Sequence, residues 1–87
     1  MNNFLEEIYT TRDVYIASYL ISIGFKKYTI TKKERICYFN FEGNDNQDII
    51  EKSVSEFWDY SVSVPPKQLF DSFNELKVRM YRTEDNL

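Results

Sequence analysis

The chain has 87 residues, 11 basic and 14 acidic, and its formal charge of −3 gives no global pull toward nucleic acid or an anionic membrane. It contains no His and a single Cys. That removes the commonest general base and zinc ligand, every Ser–His or Cys–His nucleophile pair, and any internal disulfide.

Residues 1–9, with Phe4, Leu5 and Ile8 spaced i, i+1, i+4, suit a short helical turn or an irregular lead-in over the core. This stretch is too acidic for a secretory signal. Helix follows at about 11–23. Thr10 stands as N-cap with Asp13 at capping-box spacing, and Gly24 supplies the left-handed stop. Between them Val14, Tyr15, Ile16, Ala17, Tyr19, Leu20, Ile21 and Ile23 are broken only by Ser18 and Ser22. A helix with so little polar face is expected to be buried, with the rest of the fold packed on it.

After Gly24 the residues become β-branched and aromatic around a polar TKKER. This predicts a hairpin with strands at about 25–31 and 35–42 and a turn near residues 32–34. Cys37, Phe39 and Phe41 share the face expected to lie on the central helix. Gly43, Asn44, Asp45 and Asn46 break the chain and cap a second helix, about 45–59, whose stripe is Ile50, Val54 and Phe57, with Ile49 and Trp58 at its margins. Ser61–Val64 alternates and reads as a short strand or an extended connector. Pro65 and Pro66 then open a last helix, about 66–82, with Leu69, Phe70, Phe73, Leu76 and Met80 in one stripe that only Lys77 interrupts. Residues 83–87 look like a frayed tail. The expectation is one small α+β domain over residues 1–87, ordered α–β–β–α–(β)–α, an antiparallel hairpin packed on a buried central helix with Leu20 and Phe73 in its core.

Candidate chemistry is sparse. The two glycines match no phosphate loop or dinucleotide fingerprint. Asp45, Asp48, Glu51 and Glu56 lack the ligand spacing of a calcium loop and read as a solvated helix face. Cys37 has no His to activate it and reads as a small hydrophobe. Neither a cofactor nor a metal is implied, and an enzyme is not expected. Lys26, Lys27, Lys32, Lys33 and Arg35 concentrate positive charge on the hairpin beside Tyr28 and Tyr38, a candidate nucleic-acid surface and also a way to blunt a strand edge. Glu42 to Asp59 is strongly negative. At its end Trp58 and Tyr60, with Glu51, Glu56 and Asp59, form a candidate protein-binding surface. Self-association through the exposed aromatics is a third reading. No apolar run approaches the roughly 20 residues of a membrane span, and the lone Cys fits a reducing, cytoplasmic setting.

Residues Tyr9–Lys26, YTTRDVYIASYLISIGFK, resemble the opening of a small uncharacterised family, a domain of unknown function in bacteria, phages and mobile elements. The matching positions are Thr10, Thr11, Asp13, Tyr19, Leu20 and Gly24, with weaker likeness at Phe39, Phe41 and Leu76. The resemblance implies a small, often phage-associated protein and carries over no site residue. By analogy with such proteins, the expected function is non-enzymatic binding or inhibition of a host macromolecule, most readily a protein such as a defence complex. The alternative is a nucleic-acid-binding accessory protein that uses residues 26–35.

Overall fold

The computed structural model describes residues 8–43 and 47–85. Its elements run β1 (Ile8–Thr11), α1 (Val14–Ser22), β2 (Tyr28–Lys33), β3 (Ile36–Glu42), α2 (Gln47–Trp58) and α3 (Pro66–Arg82). The strands form one antiparallel sheet in the order β1-β3-β2, so the chain is a small α+β fold.

The third strand comes from the N-terminal side, not from residues 61–64, which form an irregular connector. Ile8, Thr10 and Thr11 are β-branched, and β3 offers them an edge: Tyr9 pairs with Phe41 and Thr11 with Phe39. Ile8 and Tyr9 are therefore strand rather than a helical turn, while Phe4 and Leu5 lie outside the described residues. The cap of α1 moves with this. Asp13, not Thr10, is the N-cap, its carboxylate accepting from the backbone N–H of Tyr15 (2.8 Å) and Ile16 (3.2 Å). The Thr11 hydroxyl accepts from the Asp13 N–H, fixing the strand-to-helix corner.

Seven consecutive residues of α1, Ile16 to Ser22, are buried. Phe39 and Phe41 meet this helix from the sheet, and Ile50 from α2 and Leu76 from α3 complete the same core. Ser18 and Ser22 are tolerated there because each hydroxyl donates to a carbonyl of its own helix, Val14 and Tyr19 respectively, at 2.7 Å. Ser53 of α2 and Ser72 of α3 repeat the device with Ile49 and Gln68. Among the described residues the buried polar ones are thus all serines, small side chains in helices that pack on α1 or belong to it. Gln68 adds a tie by donating its amide to the Ser22 carbonyl at the end of α1.

Two residues assigned to the core from periodicity lie elsewhere. Phe70 is 63 % exposed, and Phe73 is only half-buried, stacked on the exposed Tyr15. The opposite face of the sheet is polar: Asn40 accepts from the Thr10 hydroxyl and donates toward Thr29 and Thr31.

Glu34 and Arg35 form the two-residue hairpin turn with φ of 55° and 70°, the left-handed pair of a type I′ turn that Asn-Gly would hold at less strain. Their N–H groups donate to the Asp85 carboxylate at 3.0 and 2.7 Å, and Asp85 bridges to Lys32. The tail expected to fray from residue 83 is therefore folded back onto the hairpin through Asp85. Residues 86 and 87 lie outside the described residues.

Urea denaturation should show Leu20→Ala losing about 2–5 kcal/mol, because a wholly buried side chain leaves a cavity. Phe73→Ala should lose only about 1–2 kcal/mol. Equal losses would contradict the burial described. The double variant Glu34→Asn/Arg35→Gly should be stabilised by about 1–2 kcal/mol and melt several degrees higher. A lower Tm would contradict the turn assignment.

Candidate functional site

Two clefts gather the side chains singled out above, and they lie on different elements. The larger, about 420 Å3, is lined by Asp13, Tyr15, Phe57, Trp58, Tyr60 and Val62. Its wall is aromatic: Phe57 meets Tyr19 at 5.3 Å and Trp58 edge-on at 5.6 Å, and Tyr15 stacks on Phe73 at 5.8 Å. Lys77 lies 5.6 Å over the Phe73 ring. Trp58 is 58 % exposed, Tyr15 64 % and Tyr60 94 %.

Tyr60 owes its position to how α2 ends. Its N–H donates to the Phe57 carbonyl and that of Ser61 to the Glu56 carbonyl, the bond pair of a Schellman stop. α1 ends in the same way, Gly24 N–H to Ile21 and Phe25 N–H to Leu20, with glycine at the left-handed position. In α2 that position, φ 58°, is held by Tyr60, for which the conformation is strained.

Trp58 and Tyr60 therefore share one surface, as their proximity in sequence suggested. The accompanying carboxylates do not line the cleft. Glu51 sits roughly two turns (about 10 Å) back along α2 and accepts from the Gln47 amide. Glu56 is half-buried, and Asp59 is exposed. The cleft's own carboxylate is Asp13, which already serves as the α1 cap. Tyr15 was hidden from sequence reasoning because an aromatic in the first turn of an apolar helix looks like core.

The basic residues of the hairpin do not form one track. Lys32 and Lys33 alternate to opposite faces of β2. A rise of roughly 3.3 Å per residue sets Lys26 and Lys27 about 20 Å from Lys33 along the hairpin. They line a separate hollow with Gly24, Phe25 and Glu42. Lys32 and Arg35 instead join Lys77, Met80 and Tyr81 of α3 around Cys37, in a cleft of about 320 Å3. Lys32 turns inward, its ammonium donating to the Met80 carbonyl at 3.0 Å near the α3 C-terminus. The signal for α3's share was Lys77, the one polar residue in the last helix's stripe.

Tyr28 ties β2 to α3. Its hydroxyl donates to Glu75 at 2.7 Å, and the Arg79 guanidinium lies 5.1 Å over its ring. Burial, then the bond to Glu75 and that carboxylate's charge, push the Tyr28 pKa up to about 12, against a smaller opposing pull from Arg79. Burial, then the charges of Asp13 and of Glu56, raise Tyr9 and Tyr19 respectively.

Among the described residues no three His, Cys, Asp or Glu side chains come together to hold a metal ion, and no helix is long and apolar enough to cross a membrane. Comparison with protein-family models, curated proteins and solved structures finds no match, so the resemblance at Tyr9–Lys26 rests on its own residues.

The alkaline behaviour of Tyr28 can be checked directly. Its folded pKa lies above the ordinary value of 10.0, so the folded state binds the extra proton between about pH 10 and 12. The stability it contributes is whole below pH 10 and is lost as pH rises through 12. Ultraviolet titration of tyrosinate should show a late step, shared with the raised Tyr9 and Tyr19, that loses one tyrosine's amplitude at its alkaline end in Tyr28→Phe. An unchanged late step would contradict the assignment.

Proposed function

We propose that this is a non-enzymatic binding protein that uses the aromatic cleft of Asp13, Tyr15, Phe57, Trp58, Tyr60 and Val62 to hold a segment of a protein partner. The observation that carries the reading is Tyr60. A stop of this type costs least with glycine, and a tyrosine there gives up about 1 kcal/mol to present a ring 94 % exposed beside Trp58. Local strain kept at an exposed aromatic is expected where the side chain itself is needed. Tyr and Trp contribute large contact area at little entropic cost, as interface anchors do.

The partner segment is apolar and basic. Apolar side chains fill the aromatic wall, while Asp13 within the cleft and Asp59 and Glu56 on α2 and its end set a negative field for lysine or arginine. Inhibition of a host protein in the cytoplasm agrees with the phage-associated context that the resemblance implies. A nucleic-acid track along residues 26–35 has less support, since its lysines face different ways and lie at opposite ends of the hairpin. Self-association has none beyond the exposed aromatics.

The test is affinity capture from host lysate, with and without nuclease, comparing the natural chain with Tyr60→Gly and Trp58→Ala. Tyr60→Gly should melt a few degrees higher, since it relieves about 1 kcal/mol of strain, and yet lose the captured protein. Trp58 is the sole tryptophan, so its emission should shift to the blue when the purified partner is added. Capture by Tyr60→Gly equal to that of the natural chain, or capture abolished by nuclease, would overturn the reading.

A further inference from the structure

We propose that the cleft between the hairpin end and the C-terminal half of α3 binds a phosphomonoester of mononucleotide size. Lys32, Arg35 and Lys77 line it from three segments, β2, the turn and α3, with the Lys32 ammonium bonded to the Met80 carbonyl and the Lys77 ammonium lying over the Phe73 ring. Among the described residues the ion pairs are Lys67–Asp71 and Arg79–Glu75, so none of these three cations has a carboxylate within salt-bridge distance. Three positive charges line the hollow against the one carboxylate of Asp85 at its rim, and this net excess attracts a dianion. A phosphomonoester is such a dianion. The guanidinium fork suits two of its oxygens and the ammonium groups act as point charges.

The rest of the lining gives the ligand a body. Cys37 and Met80 provide apolar surface, and Tyr81, 87 % exposed, presents a ring on which a base can stack. The volume of about 320 Å3 is at the small end of ligand sites and matches one nucleotide rather than a strand. Extended nucleic acid would need cations in line, and Lys33 lies on the other face of the sheet. The turn adds an independent argument. Glu34 and Arg35 occupy left-handed conformations that Asn-Gly would hold with less strain, and Arg35 is the turn residue that lines the cleft. Asp85, bonded to both turn amides, holds Arg35 at the rim. The two sets of lining residues do not overlap, and Lys77 reaches the aromatic side only through the Phe73 ring behind Tyr15, so either proposal can fail alone.

The experiment titrates the purified chain with each ribonucleoside monophosphate in turn, the matching nucleosides and a short single-stranded oligonucleotide serving as comparisons. Calorimetry reads affinity, and the rate at which a thiol reagent modifies Cys37 reads occupancy of the cleft. A monophosphate should bind and slow Cys37 modification, while its nucleoside should do neither. Arg35→Gly should stay folded, with a Tm at or above that of the natural chain, yet bind roughly tenfold more weakly, and Lys77→Glu should lose binding as well. No monophosphate binding at millimolar concentration, equal affinity in Arg35→Gly, or an oligonucleotide that binds more tightly than any monophosphate would each overturn the proposal.

Discussion

Burial of α1 on every side from Ile16 to Ser22 is the constraint from which the remaining structure follows. Ile16 to Ser22 offers no solvent-facing stripe, so the chain must supply cover all round. The sheet gives Phe39 and Phe41, α2 gives Ile50 and α3 gives Leu76. The strand order β1-β3-β2 serves the same end, because α1 must lie back across the sheet for β2 to start on the far side of β3 from β1. Serine at 18, 22, 53 and 72 lets three helices meet without an unsatisfied hydroxyl, each bonding within its own helix. The two clefts are by-products of this packing. One opens where the start of α1 meets the end of α2, the other where the hairpin outruns α1 and is met by α3.

Among the described residues, non-glycine positions take a left-handed backbone only beside the two clefts. Gly24 ends α1 with the residue that fits the left-handed stop, whereas Tyr60 ends α2 without it. The hairpin turn likewise carries Glu34 and Arg35 in place of residues that favour positive φ. Domains of this size are held by a small free-energy margin, so three such positions, at roughly 1 kcal/mol each, weigh on the total. Two of the three, Tyr60 and Arg35, line a cleft, and the third is Arg35's neighbour in the turn. Strain sited at exposed, chemically useful side chains is what joins the two functional proposals.

Much of the fold was legible in the sequence because its signals are local. The apolar run from Val14 to Ile23, the alternation of Cys37, Phe39 and Phe41, and Pro66 opening a periodic helix each specify an element without reference to the others. β1 was not legible. A four-residue strand is defined by the edge it joins, and IYTT carries nothing that outweighs the helical spacing of Phe4, Leu5 and Ile8. Phe70 and Tyr15 failed for the opposite reason: hydrophobic periodicity reports which face is apolar, not whether a neighbour reaches far enough to cover it. Of the candidate site, Trp58 and Tyr60 were legible as exposed aromatic types. The basic cleft was not, since it takes Lys32 and Arg35 from the hairpin and Lys77 from a helix more than forty residues later, while alternation along β2 sends Lys33 away.

Native-state hydrogen exchange read residue by residue tests the dependence on α1 most directly. If α1 is covered by every other element, its amides from Ala17 to Ser22 open only when the whole chain unfolds. Their exchange free energies should equal the global value from denaturation, and amides of α2 and the α3 C-terminus should exchange at lower cost. Amides of α1 that exchange more readily than those of β3 or α3 would contradict the account.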